Sequence, residues 1–252
     1  YTRFKKMISL SKNNNIYNVT LENSPVNALS LDFVSELSLL IEEISNDEST
    51  RGLLLNSSLE HFCAGADLKE RSFMTDGESI NTVYTLKSFF SGIYDLPFPT
   101  ICLINGACMG GGLELALSCD FRIASDNAFF ALPESRLGII PGAGGTQLLP
   151  RIVGIQAAKK IIYSGENISS DYALKIGLID EVCNLDNLIE KGEKMMSSFL
   201  SSSKYSIKAS KICINEGFNM DIKSSLNIEF REYIQTLDTN ERKQALKKYK
   251  KD

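Results

Sequence analysis

Apolar residues recur along this chain in two rhythms, and the alternation between them predicts its elements. Tyr17, Val19 and Leu21 alternate with polar neighbours, the period of a half-buried strand. Ser30 is placed to cap a helix in which Phe33, Leu37, Leu40, Ile41 and Ile44 return at helical spacing. Asp32, Glu36, Glu42, Glu43 and Asp47 mark the opposite, solvated face. Three consecutive leucines at 53–55 suit a strand covered on both sides. A glycine turn follows over 60–70, then a helix over 76–90 and an apolar strand over 100–104 that runs into Gly110-Gly111-Gly112 and the apolar run 113–119. Residues 121–124 form another short strand, 139–146 a second glycine-rich turn, and 156–163 and 170–176 helices, the latter stopped by Gly177. Residues 179–183 are the last strand. Beyond it, 186–200, 207–216, 221–237 and 240–251 all carry helical patterns. The pattern therefore predicts an α/β body over residues 1–196 and a helical region over 197–252, divided at the serine-rich SSFLSSSKYS.

Composition narrows the function classes. Lys+Arg 27 against Asp+Glu 31 leaves a net charge of −4, too balanced for nucleic acid or an anionic membrane as main partner. No apolar run approaches the ~20 residues of a membrane span. The six cysteines are scattered without C-x-x-C spacing, several inside apolar stretches, and are expected to be reduced thiols in an intracellular setting. One histidine, His61, excludes a three-histidine zinc site and is expected to end a turn; no metal is expected. The chain opens on Tyr1 rather than Met and has no secretory signal, which implies trimming or processing upstream.

The chemistry concentrates where glycines meet carboxylates. A glycine run that opens a helix brings unpaired N–H groups and the positive dipole end to one point, with no side chain in the way. Such a point suits an oxygen that gains negative charge. Gly106–Gly112 reads G-x-x-x-G-G-G and Gly142–Gly145 G-x-G-G, so neither is a dinucleotide fingerprint, and no Lys-Ser/Thr follows to make a phosphate loop. No G-x-S-x-G elbow is present. What stands out is Glu114 and Glu134, each beside a glycine or proline turn in apolar sequence. Burial raises a carboxyl pKa, and two carboxyls sharing a site are driven apart into one acid and one base.

Four segments together, Phe62–Leu68 (FCAGADL), Asn105–Glu114 (NGACMGGGLE), Pro133-Glu134 and Ile140–Gln147 (IPGAGGTQ), resemble the crotonase family of enoyl-CoA hydratases and isomerases in order and spacing. The resemblance runs from about residue 16 to the C-terminus. It implies a stack of ββα turns with a C-terminal helical region that packs in trimers or dimers of trimers. It also implies a coenzyme A thioester substrate, with no separate cofactor because coenzyme A is part of that substrate. Matched residue by residue, the oxyanion hole falls on the N–H groups of Ala66 and Gly111 and the paired acids on Glu114 and Glu134. Coenzyme A contacts fall on Ala64, Ala66, Asp67, Leu68, Gly110, Gly111, Pro133 and Gly142. Tyr249, Lys250 or Lys251 in the basic tail would close over the coenzyme from a trimer neighbour.

Within the family, FCAGADLKER, GGGLELALSCD and IIPGAGGTQLLPR resemble the 3-methylglutaconyl-CoA hydratases, whereas residues 23–37 resemble the 3,2-enoyl-CoA isomerases. Thr146-Gln147-Leu148 lacks an arginine usual in the family. Retention of Glu114 favours the addition of water to a 2-enoyl thioester; the alternative is isomerisation, for which one acid suffices. RNA binding, a property of one hydratase relative, rests there on lysines along the helix matching 30–45, and that face is acidic here. The relatives place such a chain in the mitochondrial matrix of a eukaryote, or otherwise the cytoplasm. Phe73, Met74, Tyr84, Phe89 and Phe90 belong to the acyl pocket or the subunit core, with core favoured for most. The acyl group itself stays open.

Overall fold

A computed structural model describes residues 7–249. The chain begins with an antiparallel hairpin of β1 (Ile8–Asn13) and β2 (Ile16–Leu21), turned by Asn14 and Asn15, both at positive φ. A two-residue turn of that kind matches the twist of the strands, and asparagine tolerates the conformation better than most residues. α1 (Leu31–Asn46) starts at Ser30, whose Oγ accepts a hydrogen bond from the Phe33 N–H at 3.3 Å. β3 (Gly52–Ser57), α2 (Leu68–Arg71) and α3 (Asp76–Tyr94) follow, the last opened by a reciprocal cap between Thr75 and Glu78. Next come β4 (Thr100–Ile104), β5 (Ala107–Met109), α4 (Gly111–Leu117), β6 (Phe121–Ser125) and β7 (Phe129–Ala131). A 3-10 turn over Pro133–Leu137 leads to α5 (Gly145–Val153), α6 (Ile155–Ser164), β8 (Ile168–Ser169), α7 (Ser170–Lys175) and β9 (Glu181–Cys183). Four helices close the described chain: α8 (Leu188–Leu200), α9 (Lys204–Gly217), α10 (Ile222–Leu237) and α11 (Asn240–Lys247).

The strands sort into two sheets. One has the order β1-β2-β3-β4-β6-β9, parallel from β2 onward; the other is β5-β7-β8. β4 and β6 lie in the first sheet, while β5 and β7, which follow each directly, lie in the second. Each coil of the chain thus lays one strand in each sheet before a helix returns it, the ββα stack that the motifs imply. An isolated parallel bridge between Cys63 and Cys108 carries the second sheet back by one coil.

Alternation along β3 explains its three leucines. Leu53 and Leu55 join the main core with Phe33, Leu37 and Phe62; Leu54 points the other way, into a smaller cluster with Ile101, Leu103, Ile123 and Met196 of α8. The large sheet is therefore covered on both faces. Arg122, 5 % exposed, closes the far end of α4: its guanidinium donates to the carbonyls of Cys119 (2.7 Å), Ala116 (3.3 Å) and Leu178 (2.7 Å). A cation on the last carbonyls of a helix is favoured by charge as well as hydrogen bonding. Lys211 of α9 pairs with Asp120 at 2.8 Å and ties the C-terminal helices to this body.

Several elements differ from their sequence signals. β1 was not foreseen, because only Ile8 in it is buried. β5 and β7 have three residues each, too few to display a period. α5 begins inside the second glycine turn, at Gly145, and continues to Val153 through residues to which the pattern assigned no element, with Pro150 inside it. α3 extends to Tyr94, and α9 begins at Lys204 rather than 207. Phe89 and Phe90 are core residues, whereas Phe73 and Tyr84 are 81 % and 70 % exposed, which overturns the core reading for those two.

Candidate active site

α4 is the wall of the site. All seven of its residues are buried, and its N-terminus opens at Gly110, held at φ +52° and ψ −126°. A side chain there would be strained by its backbone, and a Cβ would stand 2.9 Å from Glu134 Oε1. Gly65 is constrained in the same way: at φ +92°, a Cβ would meet the Met109 carbonyl at 2.7 Å and the Gly111 nitrogen at 3.3 Å. These two glycines let adjacent coils approach until the Ala66 nitrogen lies 3.8 Å from the ideal Cβ position of Gly111. Among the described residues, neither the Ala66 nor the Gly111 N–H has a hydrogen-bond acceptor in the protein. Two unpaired donors thus stand side by side, one of them on the first residue of a helix.

The two carboxyls come from different elements and meet different glycine turns, Glu114 the one at 143–145 and Glu134 the one at Gly110. Glu114, one turn into α4, is 4 % exposed, and its Oε1 accepts from the N–H groups of Ala143 and Gly145, both at 2.8 Å. Burial raises its pKa above the usual carboxylate range, and those two N–H donors hold it partly back. Glu134 sits in the 3-10 turn, none of whose residues is fully buried, and reaches over Gly110. Burial of its carboxyl group pushes it up to about 7; its own N–H opposes this, and the charge of Glu114 adds to it. Among the described residues no cation lowers the pKa of either acid. Glu134 Oε2 is shielded from solvent and has no hydrogen-bond partner among the described residues.

The remaining expected site residues form the surround. Ala64 is held by its N–H to the Val26 carbonyl at 3.0 Å, and Asp67 caps α2, accepting from the Glu70 N–H at 3.0 Å. Leu68 is 60 % exposed at the rim. Pro133 opens the turn that carries Glu134, and Gly142 faces Val83 of α3, whose Cγ1 would lie 2.8 Å from a Cβ there. Tyr249 is 82 % exposed after α11, with its N–H on the Leu246 carbonyl, and is not brought to the two acids by any contact of this chain; Lys250 and Lys251 lie outside the described residues. His61 is structural: its Nδ1 faces the Ala107 N–H at 3.4 Å and its ring meets Phe129 edge-on.

Sequence reasoning missed the Ala143 and Gly145 amides. The signal was present in the second glycine turn, PGAGG, which leaves N–H groups free of side chains to receive a carboxylate. Among the described residues no three His, Cys, Asp or Glu side chains gather as a metal site. An apolar cavity of about 620 Å³ lies elsewhere, between α4, α5, α8 and α9, and neither glutamate lines it.

Known proteins resemble this chain over most of its length. A mitochondrial methylglutaconyl-CoA hydratase of Mus musculus is 38 % identical over 89 % of this chain and 73 % of its own length. A short-chain-enoyl-CoA hydratase of Clostridium acetobutylicum is 37 % identical over 95 % and 92 %. The crystal structure of an enoyl-CoA hydratase from Bacillus anthracis superposes with a TM-score of 0.93 at 35 % identity, covering 97 % of this chain and 96 % of the other. The family model for enoyl-CoA hydratase/isomerase matches residues 11–252, and the chain belongs to that family.

Proposed function

We propose that the protein adds water across the double bond of a 2-enoyl-CoA thioester to give the 3-hydroxyacyl-CoA, and catalyses the reverse elimination. The observation that carries this reading is a pair of carboxyls in different settings, Glu114 held by the Ala143 and Gly145 amides and Glu134 over Gly110, beside the Ala66 and Gly111 amides that have no acceptor among the described residues. The thioester oxygen accepts from the N–H groups of Ala66 and Gly111, which stabilise the enolate-like charge that develops as C3 is attacked. The water oxygen bonds C3 while its proton passes to Glu114, whose Oε1 is already fixed by two amides. Glu134, with a pKa near neutrality, delivers its proton to C2 as the enolate collapses. The proton gained by Glu114 then returns to Glu134 through solvent, and the pair is reset. Coenzyme A would follow Ala64–Leu68, with Gly110, Pro133 and Gly142 shaping the way to the acids.

A second reading, 3,2-enoyl isomerisation, is favoured by one feature: Glu134 alone, with its pKa near 7 and an unpartnered oxygen, could carry a proton between C2 and C4. Assays of Glu114→Gln and Glu134→Gln on crotonyl-CoA and a 3-enoyl-CoA separate the two. Hydration requires both acids. If Glu114→Gln still hydrates crotonyl-CoA at near the parent rate, the two-acid mechanism is wrong.

The helical region 197–252 is proposed to assemble trimers. α9 and α10 expose Ile214, Phe218, Ile222, Phe230 and Ile234, a large apolar surface for a free monomer. Light scattering on the purified chain should give the mass of three or six copies.

A further inference from the structure

The names of the relatives divide between short-chain and carboxylated acyl groups, and two acids with two amides serve either. Arg71, at the end of α2, separates them. Its side chain is half-buried and burial lowers its pKa, yet among the described residues no carboxylate lies within 4 Å of it. The charge of its neighbour Glu70 offsets part of that burial, but the Glu70 carboxylate accepts the Leu31 N–H at 3.1 Å and makes no ion pair with the guanidinium. Among the described residues the only hydrogen bond of the Arg71 guanidinium is a long one, from Nη1 to the Ser79 carbonyl at 3.5 Å. A cation withdrawn from water without a partner costs stability, and such a residue is explained when a ligand supplies the anion.

The position of that guanidinium indicates which part of a ligand it would meet. α2 begins two residues after Ala66, so Arg71 lies one short helix beyond a proposed oxyanion donor. The Ser79 carbonyl that it touches lies one helical turn before Val83 in α3, and the helical repeat places the Val83 N–H on that same oxygen. Val83 in turn packs on Gly142, whose neighbour Ala143 holds Glu114. Arg71 is thus linked through α3 to the glycine turn that holds Glu114.

Resting on the enoyl-CoA reading above, we propose that Arg71 selects an acyl group that ends in a carboxylate, pairing with that carboxylate while C2 and C3 lie at Glu134 and Glu114. Guanidinium and carboxylate match as two parallel N–H···O bonds, and an uncharged chain end leaves the cation unpaired.

The test compares ligands that differ only in carboxylate against methyl at C5. Wild type, Arg71→Met and Arg71→Lys are assayed for hydration of glutaconyl-CoA and 2-pentenoyl-CoA, and titrated calorimetrically with glutaryl-CoA and valeryl-CoA, which cannot be hydrated. The wild type should prefer the carboxylated member of each pair. Arg71→Met should cut that preference on the order of 10- to 100-fold, chiefly through KM and Kd, and Arg71→Lys should restore part of it. An equal loss for charged and uncharged ligands would assign Arg71 to the coenzyme or the fold and overturn the proposal, as would a wild type without the preference. Calorimetric preference with no hydration of either enoyl ester would instead sink the hydratase reading and leave carboxylate recognition standing.

Discussion

The two acid-bearing segments use the same side chain in opposite settings. Glu114 lies inside a helix with every residue buried, and two amides grip one of its oxygens. Glu134 lies in a 3-10 turn with no fully buried residue, and one of its oxygens has no partner. The first is fixed in place, and its two amides hold back part of the rise that burial causes; the second is pushed up to about 7, so both of its forms are populated near neutrality. That difference in setting is what the proposed division into base and acid rests on.

The sharpest way to break this contrast is to remove each carboxyl in turn. Glu114→Gln and Glu134→Gln should each lower kcat for crotonyl-CoA hydration by about 10³-fold, with little change in binding of a saturated acyl-CoA. Steady-state kinetics beside calorimetry would check it.

Next in size is an attack on the amides that both acids serve. Gly65→Ala puts a methyl group 2.7 Å from the Met109 carbonyl and 3.3 Å from the Gly111 nitrogen, so the coils must part. The loss of one aligned donor should cost about 100-fold in kcat while both carboxyls remain.

A pH profile sharpens the comparison without any substitution. With Glu134 pushed up to about 7, hydration should decline above neutrality as that group loses its proton, about tenfold per pH unit. A rate that stays level from pH 7 to 9 would contradict the assignment of Glu134 as the acid.

The smallest effect is on stability. A carboxyl whose pKa is higher in the folded chain than in the unfolded one leaves the fold holding more protons between the two values. Stability therefore falls as pH rises from about 4.5 through about 7. Glu134→Gln removes that dependence and should stabilise the protein at pH 8 by on the order of 1 kcal/mol, after allowance for its partial exposure, with no gain at pH 4. Thermal melts at the two pH values would show it.

Much of this was legible in the residues. Ser30 announced the start of α1, the three leucines of β3 announced a sheet covered twice, and the glycine runs beside Glu114 and Glu134 pointed to one site. What escaped has a common cause. β5 and β7 are too short to show a period, and their pairing depends on the coil before and after. The grip on Glu114 comes from residues 29 and 31 positions away. Arg71 reads as one more charge in a polar stretch until α3 is laid against it. Local pattern reports which face of an element is apolar, but contacts between coils belong to the stack as a whole.

The proposed donors to the thioester oxygen belong to the polypeptide backbone of neighbouring coils, set by strand spacing rather than by any side chain. Substitution at Ala66 leaves its N–H in place, so mutations can redecorate the surrounding acyl wall without erasing the reaction. A scaffold of this kind is free to trade one acyl group for another over evolutionary time, and its vulnerable letters are the few glycines that let the coils meet.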